Sequence, residues 1–542
     1  MGSIGPQNGI EGENLDVLII GAGFTGCYLL PKLRNLGFKT KIVESGSYFG
    51  GVWYWSRYPG ARVDSPYPYY SLSLPEVYKD WEYKELFPPW HELQRYFAHV
   101  DKTLGLSKDA IFNSRVTSAT FNEDENTWTV ECHNGKLFKT RILVAGIGFA
   151  AKEYVPQWKG MDKCKARIVH SSHWPADLDI KGKKLAVIGN GATGVQLIQE
   201  CADQASELTA FIRTPNICLP MQQKPLISSE QKVQKQSFPE LYQRRLTTVG
   251  GLEFTAQTRA HADFTPEERE ELLERLWKKG GFAPFAASFN DTLTSPTAND
   301  TVYQFWLKKT RARVPDKAKA AIVAPSVAPH PFGAKRPSLE QDYYEKISRP
   351  NVSVVSVKET PITEFSQDGI VTADGKVHKF DIIALATGYD AITGSYKNID
   401  IRGLGRRELN SKWKSGTRTY LGMATQGFPN LFFTYGPQSP GPYVNGPSCT
   451  EPQCDWIADV LSKLRDQCLS RIDPDENAER QWSETVNAIS KATLIHEVKS
   501  WWTGANIPGK PMEALGYLGG LPNYLKALKD SLENDLQGFK VS

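Results

Sequence analysis

Long apolar runs are missing from this chain. No stretch approaches the roughly 18 residues of a membrane-spanning helix, so no stable membrane span is expected. Neither end carries an apolar signal segment. Met1 to Asn14 is polar and glycine-rich and reads as a disordered leader. The eight cysteines are scattered, with no CxxC and no paired metal spacing. That argues against a metal site and against a disulfide framework, and it predicts reduced thiols in the cytoplasm. Lysine and arginine form no dense block, and a formal charge of +4 over 542 residues leaves no footprint for nucleic acid.

What is present suits a large globular protein, 40% hydrophobic and 23% charged, several times the usual domain length of about 150 residues. One long-range echo organises it. "LDVLIIGAGFTG" (Leu15 to Gly26) and "LAVIGNGATG" (Leu185 to Gly194) each join a short apolar run to G-x-G-x-x-G. Helical spacing follows both, and then a second strand, "TKIVE" or "LTAFIR". These are two βαβ units, and the fold class they predict is α/β with two Rossmann-like dinucleotide-binding domains. Between them "SATFNEDENTWTVECHNG" alternates like antiparallel strands, and "ILVAGIGFA" reads as another buried strand. From Pro220 to Pro331 the character turns helical: Thr265-Pro266-Glu267-Glu268 is a capping box, and Leu272, Leu273, Leu276 and Trp277 make a core-facing stripe ending at Gly280. "NVSVVSV" and "DIIALATG" return to strand, and the remainder reads as loop-rich. The expected division is 1–148 with 391–542 as a first dinucleotide domain, 149–220 with 332–390 as a second, and 221–331 as a helical insertion.

In each unit the glycines permit a tight turn and close approach of a pyrophosphate to the helix N-terminus, whose free N–H groups favour anions. The expected contacts are Gly21, Gly23, Phe24 and Gly26 in the first loop. In the second they are Gly189, Gly191, Ala192, Thr193 and Gly194, with Gln196 beyond. The ends of the second strands differ in charge. Glu44 suits ribose hydroxyls and repels a 2′-phosphate, as FAD or NAD requires. Arg213 and Thr214 stand at the other site with no acid, which suits NADPH. A chain with both sites passes hydride from NADPH to a flavin. Cys449 and Cys454, the one close cysteine pair, match no common redox motif, which leaves oxygen as the leading electron acceptor.

The stretch "GGVWYWSRYPGARVDSPYPYY" (Gly50 to Tyr70) crowds aromatic rings around Arg57, Arg62 and Asp64. Gly50-Gly51-x-Trp53, Tyr58-Pro59-Gly60 and Asp64 resemble the long fingerprint of the type I Baeyer–Villiger monooxygenases, enzymes that turn ketones into esters or lactones with FAD, NADPH and O2. A second fingerprint of that family is matched in its later half by His170, Trp174 and Pro175, whereas Cys164 and Ala166 replace its opening Phe and Gly. The resemblance runs from Leu15 to about Lys510. It implies that Val52, Trp53, Tyr54 and Trp55 line the isoalloxazine, that Asp64 and Tyr70 contact FAD, and that Gly51, Arg62 and Val116 lie beside it. Lys335 would join Arg213 on the 2′-phosphate, and Trp501 would pack by the nicotinamide. Arg336 would be the catalytic arginine, oriented by Asp64, that keeps a C4a-peroxyflavin anionic.

"GPQSPGPYVNGP" (Gly436 to Pro447) is expected to form a loop over the substrate pocket, with Pro437 and Tyr443 reaching it. No acid–base role is assigned to His170. The partners implied are a small-molecule ketone and O2, for a monomer. Two neighbouring activities stay open on sequence: oxygenation of sulfides or amines, and an NADPH oxidase releasing hydrogen peroxide. A redox-inactive NADPH-sensing scaffold is a third reading, opposed by the joint presence of Glu44, Asp64, Arg213 and Arg336.

Overall fold

The first apolar run forms the strand Glu13–Ile20, parallel to Thr40–Val43 on one side and to Leu137–Ala145 on the other. Val17, Leu18 and Ile19 are fully buried, which is why the run is apolar without alternation. The computed structural model describes residues 13–255 and 257–542. Of the expected leader, residues 1–12 lie outside the described ones, while Glu13 and Asn14 already pair with Phe138 and Lys139. Eight strands form this first sheet among the described residues. Val116–Asn122 and Thr127–Cys132 are its antiparallel pair, with Trp128, Val130 and Cys132 turned inward at alternate positions. Leu431–Phe433 joins it much later in the chain, beside Leu137–Ala145.

The second apolar run, Lys184–Ile188, lies in a five-stranded parallel sheet between Glu207–Ile212 and Ile382–Leu385, with Val352–Ser356 and Arg167–His170 at the edges. Cys164 and Ala166 pack against its core beside Ile188 and Ile383. The two sheets, their crossover helices Phe24–Asn35 and Ala192–Cys201, and the parallel registers are the fold class that the sequence predicts.

Between 221 and 331 the elements among the described residues are all helices. Thr265 and Glu268 cap the helix Pro266–Lys279 reciprocally, at 3.2 and 2.8 Å, and Leu272, Leu273 and Leu276 are buried as the stripe requires. Trp306, in Pro296–Arg311, is fully buried because its indole N–H reaches the Cys218 carbonyl at 2.8 Å. The C-terminal part is loop-rich over 416–445 and 492–520, as expected, but helices separate these stretches. It holds the helices Gly446–Asp466, Glu476–Lys491 and Leu521–Glu533. The signal was present in Asn445-Gly446-Pro447: Asn445 caps the first of these helices by accepting from the Ser448 N–H, and the proline sits in its first turn.

The chain crosses between the sheets twice, after Ala145 and after Leu385. The segment 50–70 fills the gap by docking on the helix Ala192–Cys201. Tyr58 donates to Gln196 Oε1 at 2.7 Å, and Gln196 Nε2 donates to the Arg62 carbonyl at 3.1 Å. Gly60, at φ +79°, leaves no room for a side chain: a Cβ would lie 2.7 Å from the Gln196 carbonyl oxygen. Gly60→Ala is expected to cost about 1–3 kcal/mol, from left-handed strain plus displacement of this contact. Gly182→Ala is the reference, since Gly182 has φ +70° but open space around it. Thermal unfolding followed by circular dichroism compares the two, and equal losses would mean that the docking contributes nothing.

Candidate active site

Two helices in this protein begin without a side-chain cap where the sequence places glycine loops. Phe24–Asn35 starts at Gly23 and Ala192–Cys201 at Gly191, and neither N-cap residue can offer a side-chain acceptor. Some helices elsewhere are closed by side chains, those of Thr265, Ser295, Asp316 and Asp475. The free N–H groups at the two bare ends suit a pyrophosphate. Close crossings hold each loop in shape: a Cβ on Gly26 would lie 2.4 Å from the Gly21 carbonyl oxygen, and one on Gly194 2.1 Å from that of Gly189. At Gly191 there is nothing within 4 Å, so an anion can approach the backbone.

Beside the first bare helix lies a cavity of about 890 Å³ that runs from Glu44, Arg115 and Val116 to Arg336, Tyr435 and Trp501. Gly21, Gly23 and Phe24 line it, as do Gly51, Val52, Trp53 and Trp55. Glu44 is buried at one end. Its Oε1 accepts from the Gly46 N–H at 2.6 Å and from Ser45 Oγ at 3.0 Å, and its Oε2 from the Ala22 N–H at 2.8 Å. A carboxylate has about four acceptor positions, so one on Oε2 remains for a ribose hydroxyl. The residues fit FAD.

At the other end Arg336 meets Asp64 through two bonds, Nε to Oδ2 at 2.7 Å and Nη2 to Oδ1 at 3.0 Å. The guanidinium also lies 4.6 Å from the centre of the Phe282 ring. Burial opposes its charge, but Asp64 outweighs that and raises the Arg336 pKa above its ordinary value. Tyr70 closes the wall: its hydroxyl accepts from the Trp53 indole N–H at 2.9 Å, and its ring meets the edge of Phe24 at 5.1 Å. Arg62 lines the cavity, yet its guanidinium is engaged by Glu85 at 2.9 Å. Ala192 and Gln196 reach the same cavity from the second unit, while Thr193 donates to Tyr58 at 3.3 Å. Tyr54 is turned aside, its hydroxyl 2.8 Å from Ser47 Oγ and Arg57 over its ring.

Arg213, Thr214 and Lys335 stand outside this cavity, past the second bare helix. Arg213 is exposed and Lys335 half-buried, and neither has a carboxylate within salt-bridge distance among the described residues. Burial and then the Arg213 charge push the Lys335 pKa down. Two cations that raise each other's energy are a site for a doubly charged anion.

Pro437 and Tyr443 do not reach the cavity. The Pro437 carbonyl accepts from Thr419 at 3.1 Å, and the Tyr443 ring packs on Trp502 with centroids 4.4 Å apart. Tyr435, Val444 and Asn445 line it instead, with Phe149 stacked on Trp501 at 5.4 Å and 12°. Sequence reasoning missed Phe149, Phe282 and Tyr435. Their only signal was an aromatic residue beside a glycine turn or at the end of an apolar strand. His170 is buried near Ser172, and burial lowers its pKa. Cys449 and Cys454 are buried free thiols, the first pushed up to about 12, which suits no disulfide chemistry. No group of His, Cys, Asp and Glu that could hold a metal occurs among the described residues, and none of their helices is long and apolar enough to cross a membrane.

With this geometry the chain is similar to known proteins. A family model for pyridine nucleotide-disulphide oxidoreductases matches residues 15–237. The cyclopentanone 1,2-monooxygenase of Comamonas sp. is 43% identical over 540 residues, covering 99% of this chain and 98% of that protein. A Baeyer–Villiger monooxygenase of Pseudooceanicola batsensis is 35% identical over 520 residues, 95% of this chain and 94% of its own length. The crystal structure of OTEMO in complex with FAD and NADP superimposes with a TM-score of 0.93 at 34% identity, covering 97% of this chain and 99% of that one.

The loop that carries Lys335 and Arg336 is held by His330, which is buried and bonded through Nδ1 to the Pro331 carbonyl at 2.9 Å. Burial, with Lys335 adding, pushes its pKa down to about 4. The unfolded chain takes up this proton near pH 6.5, so the loop's stability is complete above that pH and is lost as pH falls towards 4. The loss at pH 5 is about 2 kcal/mol at most. Thermal midpoints at pH 7.5 and pH 5 should therefore converge in His330→Gln relative to the unmodified protein. An unchanged gap would assign the acid sensitivity elsewhere.

Proposed function

The chain belongs to the Baeyer–Villiger monooxygenases, and from that premise we propose that it inserts one oxygen atom of O2 beside a ketone carbonyl, giving an ester or lactone at the expense of NADPH. The observation that carries this is the Arg336–Asp64 pair, a guanidinium fixed in a cavity whose other end suits the adenosine of FAD. In this reading residues 1–148 and 391–542 hold FAD, residues 149–220 and 332–390 hold NADPH, and 221–331 is inserted between. The two bare helix ends and the separate sheets support that division. FAD, when bound, supplies the redox chemistry, taking a hydride from NADPH and passing electrons to O2.

The chain's own residues supply placement. Arg336 keeps a fixed positive charge where the attacking oxygen is anionic and where the ketone oxygen gains charge. Asp64 sets the direction of its N–H groups, and Phe282 covers its face. Phe149, Tyr435 and Trp501 keep water from the reacting atoms. Arg213 and Lys335 hold the 2′-phosphate of NADPH and Thr214 adds a hydroxyl. The ketone is bounded by Tyr435, Val444 and Asn445 rather than by Pro437 or Tyr443. In this reading the enzyme acts as a monomer in the cytoplasm, and its eight free cysteines support the compartment alone.

NADPH oxidation in air with linear, cyclic and aryl ketones and one sulfide tests the activity, using labelled oxygen and with hydrogen peroxide measured alongside product. Ester or lactone carrying one labelled atom is expected; sulfoxide alone, or peroxide alone, would overturn it. Arg336→Ala should lose product formation by about 10²-fold or more while flavin reduction by NADPH stays within about tenfold. Equal loss of both would remove Arg336 from the oxygen-transfer step. Arg213→Ala should reduce the preference for NADPH over NADH by about ten- to a hundredfold, the worth of a charge-assisted bond. An unchanged ratio of kcat/KM values would assign phosphate recognition to Lys335 alone.

A further inference from the structure

Trp501 lies on the long connection 492–520, whose stretch 504–511 contains Gly504, Pro508, Gly509 and Pro511 and no strand or helix. Its internal bonds are turns, Gly504 to Ile507 and Ile507 to Lys510. Three side chains tie the connection down. Asn506 Nδ2 donates to the Tyr389 carbonyl at 2.9 Å, and Glu513 accepts from the Thr417 N–H and hydroxyl at 2.6 and 2.9 Å. Lys510 Nζ donates to Asp390 Oδ1 at 2.7 Å and to the Ala391 carbonyl at 3.0 Å. The Lys510 side chain is only 4% exposed, and burial pushes its pKa down.

Asp390 lies in the second crossing between the sheets, just past Ile382–Leu385. Ala391, Ile392 and Leu515 form a small core against Phe149 and Trp501, and Ile392 N–H bonds to the Phe149 carbonyl at 2.8 Å. One buried charge pair therefore joins the crossing, the cavity wall at Phe149 and the segment that carries Trp501. Burying two charges costs several kcal/mol per ion before their attraction repays it, so apolar side chains would hold the loop as well. A charge pair differs in being able to change partners. Lys152 Nζ stands 3.7 Å from Asp390 Oδ2, on the first crossing and at the cavity wall. When Lys510 leaves, Asp390 keeps a cation, so the loop can open without stranding a buried carboxylate.

We propose that Lys510 is a positioning residue that latches the Trp501 segment to Asp390 and closes the cavity against water, and that Lys152 takes over Asp390 when the latch opens. The inference rests on the function read above, since closure matters only if the cavity holds the cofactors. The step is an exchange of ion-pair partners, with no bond made or broken covalently.

The test uses the FAD-loaded full chain. Amide hydrogen exchange over residues 500–512 should accelerate at least tenfold in Lys510→Met, with exchange in the five-stranded sheet unchanged. The share of NADPH electrons ending as hydrogen peroxide should rise severalfold, while anaerobic flavin reduction at saturating NADPH changes less than twofold. Lys510→Arg should restore both. Unchanged exchange in 500–512, an unchanged peroxide share, or an Arg variant as impaired as Met would each overturn the latch. Should Lys510→Met not retain FAD, Asp390→Asn, of nearly the same shape, carries the same two readouts. If the unmodified protein makes no ester, the proposed function fails, while the exchange data still decide whether the latch exists.

Discussion

The bidentate contact between Arg336 and Asp64 depends on several distant parts of this structure at once. Asp64 comes from the segment that docks against the second dinucleotide unit, and Arg336 from the chain as it leaves the helical insertion. Their oxygen and nitrogen atoms meet at 2.7 and 3.0 Å only if both sheets, the Gly60 docking and the His330 turn are all in register. A planar fork facing a planar carboxylate tolerates little rotation. The pair thus measures the arrangement of the whole molecule at one point, and that point is a wall of the cavity.

Charge elsewhere follows the same division of labour. At some helices that serve packing, a side-chain oxygen closes the first turn, as Thr265 and Asp475 do. Where the turn faces an open space, glycine replaces the cap and the N–H groups remain to be satisfied by an anion. Glu44 and the Arg213–Lys335 pair then set opposite signs at the two second-strand ends. In the proposed reading, which nucleotide fits each half follows from that contrast in charge, since the two backbones are alike.

That contrast was legible in the sequence because it is local. Glycine loops, the residue ending the next strand and a capping box act within a few residues of one another, and such spacing singled out Glu44, Arg213 and Thr265. The helix Gly446–Asp466 was not read, because Gly-Pro pairs mark loops and helix starts alike and only the Asn445 cap separates the two. Pro437 and Tyr443 are absent from the cavity wall for a different reason. A proline-rich connection can turn either face to the cavity, and the choice depends on Trp502, which attracts the Tyr443 ring from 59 positions down the chain. Phe149, Phe282 and Tyr435 meet the site from three separate elements, and no spacing rule links residues so far apart.

The crossings explain why polar contacts hold this interface where an apolar seam would be simpler. Two sheets joined by two chain segments must stay aligned, yet in the proposed reaction both NADPH and a ketone must reach the one cavity. A broad apolar seam holds any arrangement that covers its area, and it weakens only as surface is exposed. Hydrogen-bonded charges hold one geometry and lose it over an ångström or two. The contacts at the crossings are of that directional kind: Tyr58 with Gln196, Arg336 with Asp64, and Asp390 with Lys510, while Lys152 stands 3.7 Å from Asp390 as an ion pair. Such an interface can be firm in one arrangement and still free to adopt a second, provided that each charge has a partner in both. Asp390, with two lysines in reach, meets that condition.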